Sequence, residues 1–273
     1  KVKPDKSNYL IDATAKAWRL PAGPAIVFDE LAVKGVATPN RADFSHLSAR
    51  LYGGTVNGRV SIAWQKGLQV KGDAEIRQIE LKSLAPLVAP GTNVSGRLIA
   101  KPVFAASAAD AGQLLNALHL ETPFNVQNGV LHGIDIQKAA TSLVKQGATG
   151  GETRFEQLSG NLVRDRGAHQ FTQLKISSGA LAADGNVSIS AKQELSGRVN
   201  AQVKAAGASV GVPLNVAGTV QSPLLYPTGG TMAGAAIGTV LLPGVGTGLG
   251  ASAGQAIENL FGKKEEPPPA RKK

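Results

Sequence analysis

The sequence predicts a mainly β protein. The expected form is a long curled antiparallel sheet, an open groove or partial barrel of quasi-repetitive strands, with a few short helices and a C-terminal glycine-zipper helical hairpin. Three observations carry this. Apolar residues recur at every second position in short runs, the period of strands with one apolar and one polar face. Glycines such as Gly167, Gly179, Gly185 and Gly207 punctuate those runs, as tight antiparallel turns need. The composition is glycine-rich, with 33 Gly, and poor in aromatics at 4%, which suits a repetitive sheet better than a compact core around a deep pocket.

Taken in order, Tyr9, Ile11, Ala13 and Ala15 alternate with Leu10, Asp12, Thr14 and Lys16 in a first strand, and Pro21 and Pro24 interrupt the chain. A second strand runs from Ile26 to Val33, before a turn at Thr38-Pro39-Asn40. Alternation resumes from Phe44 to Leu51 and reverses at Tyr52-Gly53-Gly54. Val56, Gly58, Val60 and Ile62 then share one side, as do Leu68, Val70, Gly72 and Ala74 after a Lys66-Gly67 turn. From Glu80 the spacing of Leu81, Leu84, Leu87 and Val88 becomes helical and ends at Pro90-Gly91. Asn93 to Ala100 returns to strand. Asp110 reads as the N-cap of a helix over Ala111 to Leu118, with Leu114, Leu115 and Leu118 as its apolar stripe. Phe124, Val126, Asn128 and Val130 read as strand. Asp135 reads as the cap of a third helix, Gln137 to Gln146, with Ala139, Ala140, Leu143 and Val144 inward and Gly147 as its stop.

The longest uninterrupted alternation lies between Gly151 and Pro227. Leu174 and Ile176, Val187 and Ile189, then Val199, Ala201 and Val203, then Leu214, Val216 and Val220 give a meander with one apolar face. Short strand units recur around Gly58, Gly72, Gly96, Gly185, Gly197 and Gly218 without a strict period. Beyond residue 228 the pattern changes. Gly230, Gly234 and Gly238 stand four apart, as do Gly246, Gly250 and Gly254 across a Pro243-Gly244 turn. Small residues at every fourth place let helices pack backbone to backbone, as lipid-embedded helices do. Each arm is shorter than the roughly 20 apolar residues of a span. Two readings stay open: a membrane-contacting hairpin at an interface, or a hairpin packed on its own sheet. The expected division is a β-groove unit over 1–228, the glycine-rich hairpin over 229–262, and a disordered basic, proline-rich end over 263–273.

The formal net charge is +10, which raises nucleic acid and anionic membrane surfaces as partners. The basic residues are spread along the strands and are not interleaved with aromatic stacking platforms, so nucleic acid is not expected. The four His show no metal-ligand spacing, and there is no Cys. No nucleophile elbow, Walker loop or dinucleotide fingerprint occurs, so neither catalysis, nor a metal, nor any other cofactor is expected. The chain opens on Lys1 and holds one methionine, Met232, as a processed or excised piece would.

Three segments resemble the C-terminal region of AsmA-family proteins of Gram-negative envelopes. They are NVSGRLIAKPVFAASAADAGQLLNALHLETPFNVQNGVLHGIDIQKAA (93–140), TRFEQLSGNLVRDRGAHQFTQLKISSGALAADGNVSIS (153–190) and VPLNVAGTVQSPLLYP (212–227). NGVLHGIDI and VPLNVAGTVQSP are the most specific, and 93–227 is the better-matched core. The resemblance implies a periplasmic body, anchored to the inner membrane through a segment absent from this chain. It also implies a role in outer-membrane biogenesis and lipid homeostasis without catalytic residues. Phospholipid or a membrane surface is the expected partner, with outer-membrane assembly factors as further candidates. On alternation and resemblance together, Val187, Ile189, Val199, Val203, Leu214 and Val216 are expected to line a lipid groove, their plainer role being sheet core. The alternative is a structural module that regulates assembly or targeting of outer-membrane proteins.

Overall fold

A computed structural model describes residues 8–20, 24–141, 150–179, 181–205 and 208–228. The six glycines at 230–254, and Leu143 and Val144, lie outside the described residues.

The strands follow one another across a single sheet. They are β1 (Tyr9–Arg19), β2 (Val27–Thr38), β3 (Arg41–Leu51), β4 (Gly54–Ala63), β5 (Leu68–Glu80), β6 (Val94–Ala100), β7 (Val103–Ala108), β8 (His119–His132), β9 (Glu152–Asp165), β10 (Ala168–Ser177), β11 (Leu181–Ile189), β12 (Leu195–Ala205), β13 (Ala208–Gly218) and β14 (Pro223–Pro227). Every named strand pairing is antiparallel, and nearly every strand pairs with its neighbour in sequence. The exception is β6 and β7, which share one place between β5 and β8. Pro102 has no N–H to give to a ladder, so it divides one long strand in two without turning it aside. Its carbonyl still accepts from Ala74. Among the described residues no pairing joins β14 to β1, so the sheet is an open one.

The registers align side chains into rungs that cross the sheet. One rung runs through Phe44, Val60, Gly72, Phe104, Leu120, Arg164, His169 and Ile189. A second runs through Leu47, Gly58, Ala74, and later Thr122, Leu162, Phe171, Val187, Gly197 and Val216. A third includes Ala49, Val56, Ile76, Ala100, Phe124 and Gly160, and resumes at Gly185, Val199 and Leu214. This is the inner, apolar face. The opposite face carries ion pairs, including Lys34–Asp12 at 3.1 Å, Arg50–Glu30 at 3.5 Å and Arg59–Asp73 at 2.7 Å.

Two devices curl the sheet. Inner-face glycines let neighbouring strands close in: a Cβ at Gly185 would collide with the carbonyl of Arg198, and one at Gly197 with that of Asn186. Bulges add local twist. Gln78, Asn128 and Gln173 take positive φ at shifts of register in the β5–β6, β6–β8 and β9–β10 pairings.

Two helices lie along one edge of the sheet. α1 (Leu81–Val88) follows β5 as the spacing predicts, with Glu80 as N-cap accepting from the Lys82 N–H. α2 (Ile136–Thr141) follows β8, and the Asp135 carboxylate accepts from the Lys138 N–H at 2.8 Å. Thr153 on β9 fixes the start of α2, its Oγ1 donating to the Ile134 carbonyl and accepting from the Ile136 N–H. The helix expected over Ala111 to Leu118 is absent. Asp110 caps as expected, accepting from the Gln113 N–H, but only a single 3₁₀ turn, Ala111–Gln113, follows. The 114–117 segment continues as turn, and the Leu115 carbonyl is drawn into a tertiary hydrogen bond with Arg164.

α2 packs against β9, β12, β13 and β14, so the C-terminal strands wrap around it. Ala139 and Ala140 have no exposed surface and let the helix seat closely on Ala201, Val212 and Leu214. A smaller cluster of Ala49, Leu51 and Ile79 lies under β3 and β5, with Leu84 of α1 against it.

Candidate functional site

The inner face changes character from the helix edge of the sheet to the opposite edge, and from its C-terminal half to its N-terminal half. Next to α2 the apolar rungs are filled. Leu214 is 0% exposed and Val216 7%. Away from α2, Phe44, Val60, Ile62, Val70 and Phe104 are only half-buried. They form an apolar trough that no described helix covers.

The expected groove residues divide along this line. Val187, Ile189, Val199, Leu214 and Val216 all stand on inner rungs. Leu214 and Val216 belong to the packed core. Val187 and Val199 are half-buried and rest against that core, and Ile189 is half-buried beside His169. Val203 pairs with Leu181 in the β12 ladder, and its side chain lies outside the described residues.

Two polar side chains interrupt the first apolar rung. Arg164 on β9 and His169 on β10 are direct cross-strand partners, flanked by Leu120 and Ile189. Arg164 is the one charged residue on the three rungs described. Its Nη2 donates to the Leu115 carbonyl at 3.1 Å, while its Nε is buried without a hydrogen-bond partner. His169 Nδ1 is likewise buried and unpartnered. The His169 ring stacks on Phe171, at 6.4 Å and 12°, and Phe171 meets Phe124 edge-on at 6.1 Å. Burial pushes the Arg164 guanidinium below its ordinary pKa. Burial, and then the charge of Arg164, hold His169 below 6.5, so its ring is neutral at pH 7. The neighbouring carboxylate, Asp165, pairs instead with Arg166 at 3.2 Å and lies 3.6 Å from His119.

Neither Arg164 nor His169 stands out in composition or motif. The signal that could have found Arg164 is phase. Leu158, Gly160, Leu162 and Arg164 are spaced by two, which puts a cation in step with apolar residues. His169 and Phe171 repeat the step after the Arg166-Gly167 turn.

A concavity of about 720 Å³ lies across β3, β4, β5, β7 and β8. It is lined chiefly by outer-face residues such as Arg59, Ser61, Lys71, Asp73, His119 and Glu121. Its charges are largely matched: Arg59 binds Asp73, and Arg41 binds Asp43 at 2.6 Å. The Arg41 hydrogen bond, with a second from Ser61, holds the Asp43 carboxyl below its usual range. Phe44, Val103, Phe104 and Ala105 also line it, and most of its charges satisfy one another, unlike the Arg164–His169 pair.

Among the described residues no group of His, Cys, Asp and Glu is placed to hold a metal ion. No described helix is long and apolar enough to cross a membrane. In comparisons with known proteins, the model of the AsmA family matches residues 30–174. That span is just over half the chain. It runs from β2 into β10 and contains the half-buried trough, Arg164 and His169. It begins well before the quoted segment at 93 and stops before the one at 212–227. No curated protein and no solved structure matches the chain.

Proposed function

The chain belongs to the AsmA family, and from that premise we propose that it is a non-enzymatic envelope protein that holds phospholipid against the inner face of its β-groove. Family membership points to a role in outer-membrane and lipid homeostasis. A periplasmic body tethered at the inner membrane is the setting that fits it. The observation that carries the lipid reading is the half-buried apolar trough through Phe44, Val60 and Phe104. Large contiguous apolar surfaces are rare on soluble proteins unless they receive something. Acyl chains need no hydrogen bonds from their site, which suits rungs built of Val, Ile, Leu, Phe and Gly.

The test is direct. A photo-crosslinking residue at Val60 or Phe104 should capture phospholipid in envelope extracts, whereas one at outer-face Ser61 should not. Purified protein should carry lipid into native mass spectrometry. Absence of both signals would overturn the reading.

A second reading rests on a different observation. Among the described residues β1 ends the sheet as an 11-residue strand with one unpaired edge, and its first two residues, Tyr9 and Leu10, are 65% and 86% exposed. Such an edge is a template for strand addition by another chain. A module that regulates assembly of outer-membrane proteins would use it. Proline substitutions in β1 would then abolish function in a folded protein, while trough substitutions would leave function intact.

A further inference from the structure

We propose that Arg164 and His169 form an anion clamp for the phosphodiester head group of a phospholipid whose chains lie along the apolar trough. This rests on the lipid reading above and gives it an anchor point and a direction.

A guanidinium inside an apolar surface is costly unless an anion meets it. Within the described residues Arg164 has no carboxylate partner; its one hydrogen bond is to the neutral Leu115 carbonyl. Its Nε donor is buried and unspent. His169 Nδ1, on the paired residue, is a second buried position without a partner. A neutral imidazole can carry its proton on Nδ1 and donate it. The Phe171 stack holds the His169 ring, and the Leu115 carbonyl holds one end of the Arg164 guanidinium. A guanidinium and an imidazole on directly paired residues suit a phosphoryl group, whose oxygens accept in several directions, and guanidinium binds phosphate well.

The surroundings commit the occupant to an amphiphile. On one side of the pair the same rung continues as Leu120, Phe104, Val60 and Phe44. A phosphate held at Arg164 would therefore place its acyl chains on the half-buried trough of the N-terminal half and away from the core packed around α2. The 109–118 connection, whose Leu115 carbonyl holds Nη2 of Arg164, lies beside the clamp.

The experiment compares binding of phosphatidylglycerol, diacylglycerol and inorganic phosphate to the full chain, Arg164→Gln, His169→Gln and an outer-face control, Lys71→Gln. Arg164→Gln should weaken phosphatidylglycerol binding by about tenfold, as loss of a charge-assisted contact implies. His169→Gln should weaken it less. Diacylglycerol binding should be unchanged in all, and the control should match the parent. If Arg164→Gln binds phosphatidylglycerol like the parent, the clamp is refuted while the lipid reading stands. If no protein binds either lipid, the lipid reading falls and the clamp with it. If inorganic phosphate binds the parent as tightly as phosphatidylglycerol does, the site is a free-phosphate site and the head-group assignment fails. A measurement on the unsubstituted protein guards against misfolded variants. Phosphatidylglycerol should shift the His169 ring nitrogen resonances and raise the pH at which they titrate; unmoved resonances would overturn the proposal.

Discussion

The two halves of the sheet share one alternation and differ in what lies on it. From β9 to β14 the inner face closes around α2, and Leu214, Val212 and Ala201 lose nearly all contact with solvent. From β1 to β5 the buried core shrinks to Ala42, Ala49, Leu51 and Ile79, while Phe44, Val60, Ile62 and Val70 stay half-open. The same apolar surface is spent on stability in one half and left available in the other. A short helix decides which, because it supplies the apolar partner that turns a greasy face into a core.

Substitutions on the two halves should therefore separate stability from binding. The largest loss of stability should come from Leu214→Ala in the filled half, about 3 kcal/mol with its cavity, read from denaturant midpoints. Gly185→Val should follow at about 1–3 kcal/mol, because its Cβ has no room beside the Arg198 carbonyl. In the open half, Val60→Ser should cost about 1 kcal/mol yet reduce lipid capture far more than Leu214→Ala does at a temperature where both are folded. Equal effects on lipid capture would erase the distinction between the halves.

A pH test addresses the boundary between them. The folded protein holds His169 below the ordinary 6.5 by burial. Between 6.5 and that lowered value the unfolded chain binds more protons, so stability should fall as pH drops below 6.5 and be fully present above it. His169→Gln should flatten that slope in urea melts run from pH 8 to pH 5. The smallest effect belongs to the outer face. Lys34 and Asp12 are 61% exposed on each side of their ion pair, so a double-mutant cycle should give no more than about 0.5 kcal/mol.

The strands were legible because period two survives in each short run, and the caps at Asp110 and Asp135 because a side-chain acceptor before a helical turn is a local signal. β7 was missed because Pro102 reads as a break; in the sheet it costs only a ladder bond and the strand continues. The helix over 111–118 was expected from local propensity, which gave way to a tertiary contact at Leu115. The division of Val187, Ile189 and Val199 from Leu214 and Val216 could not be read at all, since each has the same phase. Only the position of α2 separates them, and that depends on how tightly glycines and bulges curl the strands. Arg164 was readable in principle, as a charge in step with Leu158 and Leu162.

The meander connectivity has a consequence for how such a protein can change over generations. Apart from β6 and β7, which share one place, each strand is joined to a neighbour it pairs with, and even α1 and α2 sit within such connections. Duplicating or deleting one hairpin would then alter the sheet by two places, roughly 9.6 Å at 4.8 Å per strand, without rethreading any other segment. Reach becomes a quantity that genetic copying can adjust in fixed steps, as links adjust a chain, while the helix that plugs one half and the open trough of the other keep their separate roles.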